Sequence, residues 1–223
     1  MLSDTKQSTF MAWFTRMPLI KRWALMHSVK SENVAEHSYQ VAVIAHLLAI
    51  ISNEYYGSCY IPEMAATIAL FHDISETKLQ DLNARTKYQT IEFAKQFKKL
   101  EHLAERECLN TLPQDLKPHY RNLIVQREVN PVYKPLVKAA DTLAAYMKAK
   151  DELNNNNREF THVVETFEKK IQKMALVVPA VNYFMEHFSE CCACTIDELS
   201  GIDAEKAIAS SEFNDEEDEL SED

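Results

Sequence analysis

Apolar residues first gather at Phe10-Met11-Ala12-Trp13-Phe14 and continue through Met17, Leu19 and Ile20 at helical spacing interrupted by Pro18. That pattern predicts a short N-terminal helix, a bend, and then the segment Lys21-Arg22-Trp23. Ser31 to Ser38 precedes a strongly apolar run from Val41 to Ile51, so a capped helix is expected to begin near Ser31 or Asn33 with His37 inside it. His46 lies two and a half turns further on, on the opposite face, and reads as an ordinary helix histidine. Asn53 to Pro62 reads as a loop. Pro62 suits the first turn of a helix whose apolar run through Phe71 delivers His72 and Asp73 near its C-terminal end. A polar connection containing Asp81, Arg85 and Lys87 follows. From Gln89 to Leu112 the spacing of Ile91, Phe97, Leu100 and Cys108 is again helical, with His102 near the wet face. Short, turn-broken helices are expected between Pro113 and Pro135, then a clear helix from Leu136 to Met147 and a break at Asn154-Asn155-Asn156-Asn157. One or two more helices span Phe160 to Met185, interrupted at Pro179.

Composition narrows this picture. Gly57 and Gly201 are the only glycines, which argues against glycine-rich phosphate loops and tightly turned sheets, so the expected fold class is all-α. A chain of 223 residues suits one domain with its own core, assigned to residues 1–202. The net charge of -10 is concentrated at the end, where Glu212 to Asp223 holds eight acidic residues and no basic one, leaving -2 for the body. Such a body has no basic field for duplex binding, so nucleic acid is not expected as a partner. The acidic tail, residues 203–223, has too little apolar surface to fold. Five cysteines, odd in number, read as reduced thiols. Cys191, Cys192 and Cys194 lack a partner pair at zinc-finger spacing and read as structural or incidental. No charged-then-apolar leader opens the chain, and no apolar stretch is expected to reach the ~18 residues of a membrane helix, so the expected location is cytoplasmic, with no membrane partner.

The candidate chemistry begins at Phe71-His72-Asp73-Ile74-Ser75-Glu76. Eight His and eleven Asp give about 0.4 adjacent pairs by chance, so the dipeptide needs support from elsewhere. Asp141 supplies some: it sits among alanines on a face that periodicity assigns to packing, where an isolated carboxylate is costly without a cation. His37, His72, Asp73 and Asp141 thus come from three predicted helices as two imidazoles and two carboxylates. That set suits a first-row divalent metal such as Mn, Co or Fe with open coordination positions, and also Zn. Arg22-Trp23 reads either as a surface Arg beside a core Trp or as a guanidinium fork for phosphate next to a flat ring.

The order His, His-Asp, distant Asp resembles the HD-domain phosphohydrolase superfamily. Leu19 to Trp23, Glu32 to Ser38, Phe71 to Glu76, Gln80-Asp81-Leu82 and Val137 to Tyr146 together resemble its bacterial 5'-deoxynucleotidase (YfbR-like) family, in order from about Gln7 to about Phe188. The resemblance implies an HD-domain helical bundle, usually a homodimer, that hydrolyses deoxyribonucleoside 5'-monophosphates with one divalent metal ion per subunit, cobalt or manganese among the options. It also implies His37, His72, Asp73 and Asp141 as ligands, Arg22 as the phosphate-orienting group and Trp23 as the wall beside the sugar. Glu76 and Asp81 match acidic residues near the substrate, and Lys87 matches a lysine of the substrate loop. Glu76 is expected to handle the proton, lying three residues beyond Asp73 on the same face if the helix continues; Asp81 serves there too or holds the sugar 3'-hydroxyl. Arg85 and Thr86 complete the expected substrate loop.

The loop departs from the family in reading Gln80-Asp81-Leu82-Asn83 and Ala84-Arg85-Thr86. The extra cation Arg85 keeps open a deoxynucleoside triphosphate hydrolase as the alternative. A non-catalytic nucleotide-sensing module is the remaining competitor.

Overall fold

In the computed structural model, which describes residues 7–199, the N-terminal apolar run forms α1 (Phe10–Phe14), and a 3-10 turn with Pro18 near its start redirects the chain. The next segment is irregular up to Asn33, where α2 (Val34–Tyr56) begins. Its start is a capping box. The Glu36 backbone N–H donates to Asn33 Oδ1 at 3.0 Å, and the Asn33 N–H donates to Glu36 Oε2 at 3.2 Å, so two amides that the helix cannot satisfy itself are paired. Gly57 ends the helix with φ of 65°, a left-handed conformation that glycine adopts without Cβ strain.

The helices that follow are α3 (Pro62–Leu70), α4 (Glu76–Leu79), α5 (Ala84–Lys87), α6 (Ile91–Asn110) and α7 (Lys117–Ile124). After them come α8 (Lys134–Asn154), α9 (Thr161–Ala175), α10 (Ala180–His187) and α11 (Ile196–Leu199). No strand forms among the described residues, and the all-α expectation holds. A unit boundary falls after Ser189, and the packing and the candidate site described below lie before it. The acidic tail expected over 203–223 lies outside the described residues, as does the end of the domain expected to reach 202.

α2 packs on α3 and α8, and α8 packs on α9. The contacts close tightly because each helix turns small residues inward: Ala42, Ala45 and Ala49 on α2, Ala65 and Ala69 on α3, and Ala140, Ala144 and Ala149 on α8 are all buried. Leu48, Ile68, Leu136, Leu143 and Phe160 are fully buried among them, each contributing roughly 1.5–3 kcal/mol. A second cluster around Ile74, Cys108 and Ile124 seats the turn after α3.

Four sequence expectations are corrected. α2 runs through Asn53 to Tyr56, so the following loop is shorter than expected. α3 stops at Leu70, and His72 and Asp73 lie in the turn beyond it. The polar stretch at 84–87 is helical, because the Asn83 side chain accepts from the Arg85 N–H at 2.8 Å and caps it. Finally, α2 is long and apolar enough by length and composition to cross a membrane, with a mean hydropathy of 1.4, contrary to the expectation that no stretch reached that length. Of that stretch 56% is buried inside the protein, so its apolar residues build the core against α3 and α8.

Candidate metal centre

The capping box fixes the first turn of α2 and so fixes His37, which is fully buried. From α8, Asp141 meets it across the core, with Oδ1 3.1 Å from His37 Nε2. The turn after α3 brings in His72, whose Nδ1–H donates to the Ala69 carbonyl at 2.7 Å. That bond fixes the ring and leaves Nε2 as a bare lone pair in the neutral form. His37, His72 and Asp141 each offer a ligand atom within 4.8 Å of the other two. Asp73 Oδ2 sits beside them, 3.1 Å from His72 Nε2 and 3.6 Å from His37 Nε2.

The donor set fits a divalent cation on its own geometry. His72 Nε2 is buried and makes no hydrogen bond among the described residues although Asp73 Oδ2 is close; a lone pair facing a carboxylate is repulsive unless a positive charge lies between them. The two carboxyls are held ionised in this setting. Burial works against ionisation of Asp73 and Asp141, yet His72 and His37 outweigh it at Asp73, and the hydrogen bond from His37 together with the charge of Lys138 does so at Asp141, so both carboxyls are held below the usual range. Burial likewise opposes the His72 imidazolium, and Asp73 and Asp141 reverse the balance and raise its pKa.

Arg22 lies against this cluster, with Nη1 3.8 Å from Asp73 Oδ2. Burial disfavours its charge, but Asp73, Glu32, Asp81 and Asp141 more than compensate and raise its pKa, so it is a permanent cation. Trp23 follows at φ 58°, a conformation costing a non-glycine residue roughly 1–2 kcal/mol. It is held by its indole N–H, which donates to Glu32 Oε2 at 2.7 Å, and by edge-on packing against Phe160 at 5.4 Å. Arg22 thus lies beside the cluster, while the Trp23 ring packs on Phe160 and Phe167 at the margin of the main core.

Glu76 opens the separate helix α4, so the condition that the helix continue from Asp73 is not met. The turn still brings it back, since its N–H donates to the Asp73 carbonyl at 3.0 Å. Burial, then the carboxylates of Asp73 and Asp81, push the Glu76 pKa well above the ordinary value against the opposing pull of Arg22 and Lys87. Asp81 is raised as well, by burial foremost. Lys87 turns its ammonium to Glu101 at 2.5 Å and over the Phe97 ring at 5.0 Å. Arg85 and Thr86 lie exposed on α5. Arg22, Glu76 and Asp81 therefore share charge interactions with the ligand candidates, and Trp23 lies beside Arg22.

Two participants were missed in the sequence. Lys138 Nζ donates to Asp141 Oδ2 at 2.6 Å, a contact that its place one turn before Asp141 on a helix signals. Glu32 holds Arg22 and Trp23, and nothing in its sequence neighbourhood points to that role. The cysteine cluster at 191–194 lies beyond Ser189, and Cys59 and Cys108 are free thiols.

Residues 9–192 match the family model described as 5'-deoxynucleotidase YfbR-like. A 5'-deoxynucleotidase of Shewanella oneidensis is 40% identical over 193 residues, covering 86% of this chain and 98% of that protein. One of Vibrio cholerae is 38% identical, covering 87% and 100%. Among solved structures, an HD-domain phosphohydrolase of Listeria innocua superposes with a TM-score of 0.71 at 20% identity, covering 89% of this chain and 92% of that one. A cyanophage S-2L HD phosphohydrolase bound to dA and one catalytic Zn2+ ion gives 0.56 at 19% identity, covering 79% and 92%.

Proposed function

The chain belongs to the YfbR-like 5'-deoxynucleotidase family, and from that premise we propose that it hydrolyses deoxyribonucleoside 5'-monophosphates to deoxynucleoside and phosphate. The observation that carries the reading is the Arg22 guanidinium lying 3.8 Å from Asp73 within a His/Asp cluster of metal-ligand spacing. A cation for the phosphate stands beside the place for a metal.

His37, His72, Asp73 and Asp141 would hold one divalent metal, with Co or Mn as the first choices and Zn compatible with the same donors. When bound, such a metal supplies Lewis acidity that polarises a phosphoryl oxygen and lowers the pKa of water. Arg22 binds the equatorial oxygens and spreads their charge as the bond to O5' lengthens. Glu76 handles the proton, delivering it to O5' of the leaving group or orienting the attacking water. Asp81 accepts from the sugar 3'-hydroxyl or shares the proton-handling role. Trp23 lies along the sugar and leaves a 2'-hydroxyl neither room nor partner. Lys87 acts on Glu76 through its charge, and Arg85 and Thr86 form the outer rim of the substrate site.

Phosphate release from a panel of deoxy- and ribonucleoside mono- and triphosphates, with Co or Mn added, tests the reading. Release from deoxynucleoside monophosphates is expected. No release from any of them with metal bound would sink it, and triphosphate or pyrophosphate as product would establish the triphosphate hydrolase instead. Glu76→Ala is expected to keep metal and nucleotide and to lose turnover by roughly 10²–10⁴-fold; a mere binding module would have no turnover to lose.

A homodimer is part of the same proposal, since α6 exposes Ile91, Leu100 and Leu103 at 79%, 48% and 55%, surface of the kind a second copy covers. Light scattering measures it directly. The free thiols Cys59 and Cys108 suit a reducing cytoplasm, and the near-neutral body gives no field for nucleic acid.

A further inference from the structure

Glu32 is buried, only 6% exposed, although it lies in the irregular segment before α2. A single oxygen, Oε2, accepts from two donors at once: Arg22 Nε at 3.1 Å and the Trp23 indole Nε1 at 2.7 Å. The backbone repeats the pairing. The Arg22 N–H donates to the Glu32 carbonyl at 3.0 Å, and Lys21 and Asn33 form an antiparallel bridge on either side. With Nε committed to Glu32 and Nη1 turned toward Asp73, the fork of Arg22 keeps Nη2 as the end that neither carboxylate holds. The other Glu32 oxygen, Oε1, is buried with no hydrogen-bond partner among the described residues. A carboxylate oxygen taken out of water and left unpaired is costly, so the cost is set against what the paired oxygen achieves.

We propose that Glu32 is a specificity-determining positioning residue, one whose Oε2 fixes the phosphate-facing guanidinium of Arg22 and the sugar-facing indole of Trp23 in a single arrangement. The inference rests on the reading of Arg22 and Trp23 as substrate-facing. Its physical content is coupling. Exclusion of a 2'-hydroxyl requires the indole to stay within a fraction of an ångström of its place relative to the phosphate grip, and a shared acceptor atom ties the two groups together. A neutral amide at this position keeps the size of the side chain but loses the charge that holds two donors on one oxygen.

The test compares wild type, Glu32→Gln and Glu32→Asp by two readouts. The first is kcat/KM for the deoxy and ribo forms of one monophosphate. The second is the 15N–1H spectrum, where Trp13 and Trp23 are the only sources of indole signals. Glu32→Gln is expected to lower the deoxy-to-ribo ratio by about tenfold or more and to move the Trp23 indole proton upfield, with Glu32→Asp recovering part of both. Equal losses on the two substrates, leaving the ratio unchanged, would make Glu32 merely structural and overturn the proposal. An unmoved indole signal would overturn the geometry beneath it. Should Glu32→Gln fail to fold, Glu32→Asp gives the same two readouts. A wild type that turns over neither substrate refutes the functional reading alone; the indole signal and the ratio of dissociation constants for the same nucleotide pair still decide the role of Glu32.

Discussion

His37 stands in the first turn of a 23-residue helix and is held by the apolar core around it, whereas Trp23 stands in an irregular segment in a strained backbone conformation, with its indole N–H held by the Glu32 carboxylate and its ring edge-on to Phe160. Both border one site. Around the candidate metal centre, α2, α3 and α8 meet through alanines and aliphatic side chains; His37 rides on α2, Asp141 on α8, and His72 and Asp73 on the turn after α3. On the substrate side, the chain from Arg22 to Glu32 is tied down by polar bonds from far away. Glu152 on α8, 1% exposed, accepts from the Val29 N–H at 2.7 Å and the Lys30 N–H at 3.1 Å and pairs with buried Lys148. Asn157 donates to the His27 carbonyl at 2.7 Å, and Glu159 accepts from the His27 N–H at 3.0 Å. Apolar packing is non-directional and distributes its free energy over many contacts, so single changes are partly absorbed. A polar clamp concentrates it in a few directional bonds, and each lost partner leaves a buried group unsatisfied.

That contrast breaks most visibly at the centre. His72→Ala is expected to lose bound metal, measured by elemental analysis, and activity by about 10³-fold or more, since the Lewis acid contributes several kcal/mol at roughly tenfold per 1.4 kcal/mol. Full metal retention in that variant would count against the ligand assignment. Glu152→Ala should destabilise the fold by about 3 kcal/mol in denaturant titration, because two backbone amides lose their acceptor and buried Lys148 loses its counter-charge and keeps only the Lys30 carbonyl. Loss of less than about 1 kcal/mol would show that the clamp is dispensable and the comparison wrong.

Acid sharpens the same point. Burial opposes the Glu152 charge, but Lys148, Asn157 and the two amides hold its pKa at about 2, below the ordinary 4.5. Its contribution to stability is therefore fully present above pH 4.5 and is lost as the pH falls from there through about 2. Glu152→Gln should flatten the stability profile across that window. The smallest effect is expected at the cap of α2: Asn33→Ala should cost about 1 kcal/mol in melting experiments and leave His37 in place, because its full burial and its contact with Asp141 hold it besides the cap.

Much of the metal side was legible in the sequence. Asp141 among alanines betrayed itself as a carboxylate on a packed face, and His72-Asp73 marked the end of an apolar run. The helical spacing that revealed them is local. Glu76 was legible in position but not in setting, since the end of α3 at Leu70 follows from how the turn at Ile74 packs into the second cluster. Glu152 and Lys148 read as ordinary charged residues on a helix, and Glu32 as one more acid before a cap.

The sequence by itself determined an all-helical chain, the order of four candidate ligands and the pair Arg22-Trp23, because apolar periodicity and residue chemistry are properties of neighbours along the chain. Only the tertiary structure decided which polar groups would meet. His37 and Asp141 are 104 residues apart, and Glu152 reaches Val29 across 123. A hydrogen bond between such distant residues depends on where packed helices place them, and nothing in the spacing around either residue records its partner.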